Sequence, residues 1–295
     1  MAVKAKKKQK IKTSLPQLPE KFKKLEATGN DFILLEISLQ KPFSEGLPHL
    51  IQSLCKSKTG IGADGLILLD RKSKPPLWRF FNADGSETGV CGNAARCVAR
   101  TLKSSGLVKW KGVLGNFSAI LPKGNPSEVS VNWTSLGFDQ ADRPLPQDLV
   151  DALLGLNDSG LAGFNLLNVG VPHLVLLGHE IWSPEIRMGS SETLRRFSSL
   201  GPEGANVTWI SLKNLSATTF ERGVEGETLS CGSGALAGYL ALNAYYKNLE
   251  GSEFKEKDFV LHFPGGDLKV SRDSDSKLWL TGQTRFVYEG KRIGL

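Results

Sequence analysis

This chain is organised around the stretch Ser230-Cys231-Gly232-Ser233-Gly234-Ala235, because a close copy occurs upstream as Val90-Cys91-Gly92-Asn93-Ala94-Ala95. Glu-Thr precedes each copy at the same distance, so both read Glu-Thr-x-x-Cys-Gly-x-x-Ala, and the cysteines stand 140 positions apart (231 − 91). A helix-periodic segment rich in small residues follows each copy. The pattern therefore predicts that each Cys-Gly pair lies at a helix N-terminus.

A helix N-terminus favours anions, so these two termini are predicted to favour thiolate over thiol and to hold a carboxylate. A lone cysteine is more often a small buried hydrophobe, which is our interpretation of Cys55 and Cys97. Zinc binding is the competing use of thiolates, but Cys91 and Cys97 lack the spacing of zinc ligands and no histidine cluster accompanies them. We therefore expect Cys91 and Cys231 to be functional without a metal.

A second repeat supports an internal duplication. The stretch from Gly170 to Leu176 parallels the one from Gly29 to Leu35 at an offset of 141 (170 − 29), close to the cysteine offset. We therefore predict an α/β protein of the α+β type with two pseudo-symmetric domains, each a mixed or antiparallel sheet wrapped around a central helix. The active site is expected in the cleft between them, with one cysteine on each wall.

The predicted domain plan has four parts. They are a basic disordered tail (1–20), an N-terminal domain (21–135), a C-terminal domain (136–280) and a last segment that returns to the N-terminal domain (281–295). Helices are predicted over 47–57, 192–200 and 234–247, in addition to the one that follows Cys91.

The net charge of +7 belongs to the tail, because residues 1–24 hold nine lysines and one acid while the rest holds 28 basic and 29 acidic residues. A solubilising extension is favoured, with contact to RNA, membrane or an acidic partner as the alternative. No apolar run approaches a membrane span and no secretory signal is present, so a cytoplasmic location is expected. Four cysteines in 295 residues make no disulfide framework.

Two equivalent thiols suit reversible proton abstraction at a carbon. One thiolate removes the α-proton and the opposite thiol returns a proton to the other face, so the configuration inverts. The helix N-termini would bind the substrate carboxylate, whose charge grows as the carbanion becomes enediolate-like. This scheme requires no cofactor.

The motifs resemble those of the diaminopimelate epimerase family over about Lys21 to Val287. They include Thr28-Gly-Asn-Asp-Phe32, Gly60-Ile-Gly-Ala-Asp-Gly65, Asn82-Ala-Asp-Gly-Ser-Glu87, Pro172-His173, Gly204-Ala-Asn-Val207 and Glu221-Arg-Gly223, along with both Cys-Gly stretches. The resemblance implies a cofactor-independent enzyme of two facing pseudo-symmetric domains. It also implies interconversion of LL- and meso-diaminopimelate for lysine and peptidoglycan synthesis.

The resemblance also implies a role for each matching residue. Cys91 and Cys231 would be the acid/base pair, with His173 and Glu221 beside them tuning their protonation. The substrate would be bound by Asn30, Asn82, Asn206, Glu221, Arg222 and the backbone N–H groups of Gly92, Asn93, Gly232 and Ser233. Arg222 offers a fork for a far carboxylate, while the asparagines offer neutral donors and acceptors. The alternatives are turn formers for Asn30 and Asn82, a core histidine for His173, and a surface ion pair for Arg222.

Two departures from the family pattern bear on the substrate. Val171 replaces an asparagine, so an amide that would contact substrate is missing, and Glu225 looks like an insertion. A related cofactor-independent racemase of another amino acid is therefore the alternative function. From another class, an idle anion-binding protein with a nucleic-acid-binding tail predicts loss of one cysteine, yet both are present. Beyond an amino-acid substrate, a homodimer is left open, no membrane partner is expected, and nucleic acid is expected only through the tail.

Overall fold

The computed structural model describes residues 18–40, 45–136, 142–156, 160–202, 204–250 and 258–293. Most of the Lys-rich tail lies outside the described residues, and so do residues 137–141, which belong to the segment 136–146 that we predict to connect the two domains. Leu18 is buried, and Arg292 donates hydrogen bonds to the carbonyls of Leu18 and Pro19. Residues 18–20, which we assigned to the disordered tail, are therefore packed against the body. Within the described residues, no helix has the length and apolar character needed to span a membrane.

The described residues of the first half form eight strands and two α-helices. These are β1 (Lys21–Ala27), β2 (Asn30–Glu36), α1 (Leu47–Cys55), β3 (Gly65–Asp70), β4 (Leu77–Asn82), β5 (Glu87–Thr88), α2 (Gly92–Leu102), β6 (Gly106–Gly112), β7 (Gly115–Leu121) and β8 (Glu128–Asn132). As predicted, α2 begins directly after Cys91.

In the second half, the part of the chain that the structure describes forms ten strands and three α-helices. These are β9 (Asp142–Arg143), α3 (Gln147–Leu154), β10 (Leu161–Asn168), β11 (Pro172–Gly178), α4 (Pro184–Leu194), β12 (Asn206–Ser211), β13 (Ala217–Glu221), β14 (Gly226–Thr228), α5 (Gly232–Glu250), β15 (Asp258–Phe263), β16 (Gly266–Arg272), β17 (Leu278–Gln283) and β18 (Arg285–Lys291). Here α5 begins directly after Cys231.

The two halves repeat one pattern of strand pairing. In the first, β1 pairs antiparallel with β2, β2 parallel with β3 and β3 antiparallel with β4. In the second, β10, β11, β12 and β13 pair in the same sequence of directions. Each parallel pair needs a crossover, which contains α1 in one half and α4 in the other. The predicted fold class, a duplicated mixed α/β unit, is confirmed.

A single twelve-stranded sheet nevertheless crosses the boundary between the halves. Its β17 pairs antiparallel with β8, with Leu280 opposite Val131, and its last strand, β18, pairs with β1 near the start of the chain. The second sheet has six strands and lies wholly in the second half. The residue bounds given above for the domains stay predictions.

Small side chains let strands approach the two central helices closely. The helix α2 packs against β1, β6, β7 and β8, while α5 packs against β10, β11, β12 and β16. The alanines that face these strands are fully buried: Ala94, Ala95, Ala99, Ala235, Ala237 and Ala241. The apolar strand residues therefore form one continuous core around both helices.

The prediction of a helix over 192–200 is wrong. Instead, α4 begins at Pro184. The hydroxyl of Ser183, the residue before it, accepts a hydrogen bond from the backbone N–H of Ile186 at 3.5 Å. A serine before a proline is a helix-start signal that outweighs the weak apolar periodicity further on. Only a short 3₁₀ turn occupies Ser198–Leu200.

We expect Leu280→Ala to lower the free energy of unfolding by about 2 to 5 kcal/mol, because Leu280 is fully buried at the junction of the two halves. The measurement is chemical denaturation followed by fluorescence. Leu249→Ala, at a leucine on α5 that is 64% exposed, is the control and should change stability by less than about 0.5 kcal/mol. Equal losses in the two variants would contradict this account of the junction.

Candidate active site

Each of the two duplicated cysteines caps the helix that follows it. The Cys91 sulfur accepts a hydrogen bond from the backbone N–H of Ala94 at 3.5 Å, and the Cys231 sulfur accepts one from Gly234 at 3.3 Å. In both cases the donor lies three residues after the cysteine, the geometry of an N-cap. The thiols are therefore fixed at corresponding places on the two helices.

The two helix N-termini meet at their glycines. A Cβ atom placed on Gly92 would lie 3.5 Å from the Cα of Gly232, and one placed on Gly232 would lie 3.4 Å from the Cα of Gly92. The Cδ2 atom of Leu280 would lie within 3 Å of either added carbon, at 2.9 Å and 2.8 Å. An added carbon at either position would therefore clash with the Leu280 methyl and fill the space between the two helices, which explains the glycine after each cysteine.

A cavity of about 350 Å³, here called the central cavity, opens in front of the paired helix N-termini. Both halves of the chain line it. Of the residues predicted for the site, the lining includes Asn30, Asn82, Cys91, Gly92, Asn93, Asn206, Glu221, Arg222, Cys231, Gly232 and Ser233. Residues up to 203 positions apart in sequence (233 − 30) are thus brought to one place.

His173 is the predicted site residue that does not line the central cavity. It is fully buried, and its Nε2 lies 2.9 Å from the Ser233 hydroxyl, which lies 3.3 Å from the Cys231 sulfur. Its Nδ1 lies 3.0 Å from the Thr208 hydroxyl. Burial, with a smaller contribution from the charge of Arg222, lowers the pKa of His173 to about 3. The imidazole is therefore neutral and connected to Cys231 through Ser233.

Glu221 lies close to both sulfurs. Its carboxylate accepts hydrogen bonds from the Thr228 hydroxyl and from the Cys231 thiol, and burial raises its pKa above the usual value. Its negative charge in turn contributes to raising the pKa of both Cys91 and Cys231. A carboxyl with a raised pKa beside a thiol is suited to exchange a proton with it.

The helix N-termini act on the two thiols in the expected direction, but they do not make them thiolates. Burial is the largest effect on both sulfurs: it raises the pKa of Cys91 to about 11 and that of Cys231 well above its usual value. The capping N–H groups act in the opposite direction, but they are outweighed. Both groups are therefore thiols at neutral pH.

A hydrogen-bond network connects the start of α2 to the second half of the chain. The Asn93 amide donates to Asn30 Oδ1 at 3.0 Å and to the Ser230 hydroxyl at 3.0 Å. Behind it, the fully buried Arg96 donates to Asn93 Oδ1 at 2.8 Å and to the Thr28 hydroxyl at 2.7 Å. The side chains of Asn30 and Asn93 are thereby oriented before any ligand arrives.

The far side of the central cavity carries polar groups from three segments. Asn206 Oδ1 accepts a hydrogen bond from the backbone N–H of Arg222 at 2.9 Å, which fixes the start of that loop. Asn82 is exposed and donates to the Ser86 hydroxyl at 3.1 Å. Val171, the apolar departure noted in the sequence, also lines the central cavity.

Sequence reasoning missed several residues of the central cavity. Asp64 accepts hydrogen bonds from the Asn30 amide at 3.2 Å and from the backbone N–H of Asp31 at 3.0 Å. Its place in a Gly-rich turn before a strand was the available signal. Trp133 also lines the cavity and donates to the Val169 carbonyl at 3.0 Å, but a tryptophan ending a strand carries no such signal. Among the described residues, no group of three or more potential ligands is arranged to hold a metal.

Known proteins resemble this chain along nearly its whole length. The family model described as diaminopimelate epimerase matches residues 22–119. A diaminopimelate epimerase of Aquifex aeolicus is 31% identical over 285 residues, covering 92% of this chain and 96% of that protein. One of Legionella pneumophila is 33% identical over 286 residues, covering 92% and 98%.

A solved structure shares the fold at much lower identity. The phenazine biosynthesis protein of the PhzF family from Bacillus anthracis superposes with a TM-score of 0.66 at 13% identity, covering 93% of this chain and 99% of that one. This likeness shows the fold alone. The identity of 31% and 33% to the two relatives, which extends over both Cys-Gly helices, shows the family: the chain belongs to the diaminopimelate epimerase family, a family of isomerases.

Proposed function

We propose that this protein interconverts LL- and meso-diaminopimelate by moving a proton between the α-carbon and two cysteine thiols. The observation that carries the proposal is the pair of thiols that cap two abutting helices at one cavity. A carbon held between the two sulfurs would present one face to each. Abstraction by one sulfur and return by the other then inverts the centre.

Proton transfer needs one thiolate and one thiol at the start. Because burial raises the pKa of both thiols, a neighbouring group has to take the first proton. Glu221 is the acceptor we propose for Cys231, since that thiol donates a hydrogen bond to it. The Ser233 hydroxyl connects the same sulfur to His173, whose pKa of about 3 makes it a neutral hydrogen-bond partner there and not the proton acceptor. The Cys231 thiolate then removes the α-proton, Cys91 delivers its own proton to the opposite face, and the reverse direction exchanges their roles.

The substrate carboxylate at the reacting carbon fits the paired helix N-termini. The N–H groups of Ala95 and Ala235 already donate to Cys91 and Cys231 carbonyls at 2.9 Å. The N–H groups of Gly92, Asn93, Gly232 and Ser233 come earlier and have no carbonyl partner within their helices. Negative charge flows into the carboxylate as the carbon loses its proton. Donors aimed at that charge lower the barrier most in a water-poor site.

The far end of diaminopimelate is a second amino-acid group. Arg222 offers its fork to that carboxylate, and Asn82 and Asn206 offer amides from two other segments. A monocarboxylic apolar substrate would make no use of the polar groups of this wall. The wall therefore favours a substrate with two charged ends.

We expect the dialysed, EDTA-treated protein to incorporate deuterium at the α-carbon of LL-diaminopimelate in D₂O and to form the meso product. Cys91→Ala and Cys231→Ala should each abolish inversion, because one face then has no proton donor. Cys→Ser variants should be slower by about 10² to 10⁴-fold, since a hydroxyl is a far poorer base. The readouts are mass spectrometry and chiral chromatography.

Cys55→Ala is the control for this experiment. Cys55 lies at the end of α1, is buried in the apolar cluster that packs around this helix, and does not line the central cavity. It should retain turnover. Activity that returns only on addition of pyridoxal phosphate or a metal would contradict the cofactor-free mechanism, as would full inversion by either Cys→Ala variant.

The thiol pKa values predict a pH dependence for alkylation. In Cys231→Ala, the rate of Cys91 modification by iodoacetamide should rise about tenfold per pH unit from pH 7 to 9, because the thiolate fraction grows until the pH reaches the pKa of about 11. Modification is followed by mass spectrometry of the Cys91 peptide. A plateau below pH 8 would show instead that the helix N-terminus outweighs burial.

Val171 supports one alternative, a racemase of another amino acid, because this apolar side chain lines the central cavity where an amide would serve a polar substrate. We expect diaminopimelate to exceed glutamate, lysine, histidine and proline in kcat/KM. Val171→Asn should lower the KM for diaminopimelate about threefold to tenfold, the value of one hydrogen bond. Val224→Asn, at an exposed valine of the same cavity, is the control and should leave the KM for diaminopimelate unchanged. A higher kcat/KM for any of the other four amino acids would favour the alternative.

A further inference from the structure

The loop that carries Arg222 is held from outside the central cavity. It joins β13 to β14 through residues 222–225, and its last residue, Glu225, has a left-handed backbone with φ of 56°. The Glu225 carboxylate accepts two hydrogen bonds from the guanidinium group of Arg195, one of them from Nε at 2.9 Å. It also accepts a hydrogen bond from the backbone N–H of Gly223 at 3.2 Å. A side chain in a strained turn is thus fixed to the end of α4.

Arg195 also holds the segment that leads to Asn206. The Arg195 carbonyl oxygen accepts a hydrogen bond from the backbone N–H of Ala205 at 3.1 Å. The same oxygen lies so close to Gly204 that a Cβ atom added to Gly204 would be 2.0 Å away. Asn206 in turn accepts the backbone N–H of Arg222. The contacts close a ring that runs from Arg195 through Glu225 to Arg222, then through Asn206 back to Arg195.

A second Arg–Glu pair secures the other end of the hairpin. From the first half of α4, Arg187 donates to both carboxylate oxygens of Glu227 in β14, at 2.6 Å and 2.9 Å. The side chains of Arg187 and Arg195 are only 12% and 10% exposed, so their ion pairs are shielded from solvent on the arginine side. Paired forks of this kind fix orientation as well as distance.

We propose that Arg195 and Glu225 are positioning residues that set the place of Arg222, and that this ring makes the enzyme selective for a substrate with a far carboxylate. The inference rests on the proposed function. It assigns neither residue a contact with the reacting atoms. The ring has one consequence for kinetics: loosening it weakens binding of the far end and leaves proton transfer at the near end in place.

The test compares Glu225→Gly with the wild-type protein in steady-state epimerisation of LL-diaminopimelate. Glycine adopts positive φ without strain, so this variant removes the carboxylate and keeps the turn. We expect KM to rise about tenfold while kcat stays within about twofold. Arg195→Lys keeps the charge and loses the fork, so it should raise KM by a smaller factor.

Arg196→Ala is the matched control. Arg196 donates to the same carboxylate at 2.8 Å but is 67% exposed and takes no part in the ring, so its loss should change KM by less than about twofold. Thermal melting of every variant is recorded. If Glu225→Gly does not fold, Glu225→Asn is assayed by the same criterion, because asparagine also tolerates positive φ.

The possible outcomes separate the two proposals. A wild-type protein without epimerase activity on LL-diaminopimelate overturns the proposed function and this inference with it. An active wild type with an unchanged KM in Glu225→Gly and in Arg195→Lys overturns only the inference. A fall in kcat at constant KM also overturns it, because the ring would then act on the reacting groups.

Discussion

The close approach of two helix N-termini is the constraint on which the rest of this structure depends. Two positive dipole ends point at one cavity, an arrangement that is unfavourable until an anion lies between them. Gly92 and Gly232 permit the approach, and the buried Leu280 lies against both. The pairing of β8 with β17 behind them joins the halves in one sheet, so the core fixes the helices in this position.

Burial and helix capping act on the thiols in opposite directions, and burial is the larger effect. A rise of the Cys91 pKa to about 11 corresponds to roughly 3 kcal/mol. A helix N-terminus typically stabilises an anion by about 0.3 to 1 kcal/mol. The same dry environment strengthens every donor aimed at the developing carboxylate charge. In the reaction we propose, the burial that strengthens these donors therefore also keeps the resting thiols protonated.

The duplicated frame carries different side chains in its two halves. Around Cys231, the neighbours are the Glu221 carboxylate, which is the proton acceptor in the reaction we propose, and the hydrogen-bonded pair Ser233 and His173. Around the helix after Cys91, the neighbours are Asn93 and the buried Arg96, which orient groups through hydrogen bonds. Strand pairing preserves the symmetry of the backbone, while the side chains around the two cysteines differ between the halves.

The sequence by itself determined the features that local physics sets. Helix starts follow from the residues at the cap and the periodicity after it, so both Cys-Gly termini and the duplicated α/β fold followed from two stretches. Local signals also have limits: the start of α4 at Ser183-Pro184 was overlooked in favour of a weak apolar pattern. Only the tertiary structure decided which groups meet. His173 contacts Ser233 beside Cys231, and Arg195 contacts Glu225, across 60 and 30 positions of chain. The protonation of the thiols was decided there too, because desolvation exists only once distant strands have closed the core around them.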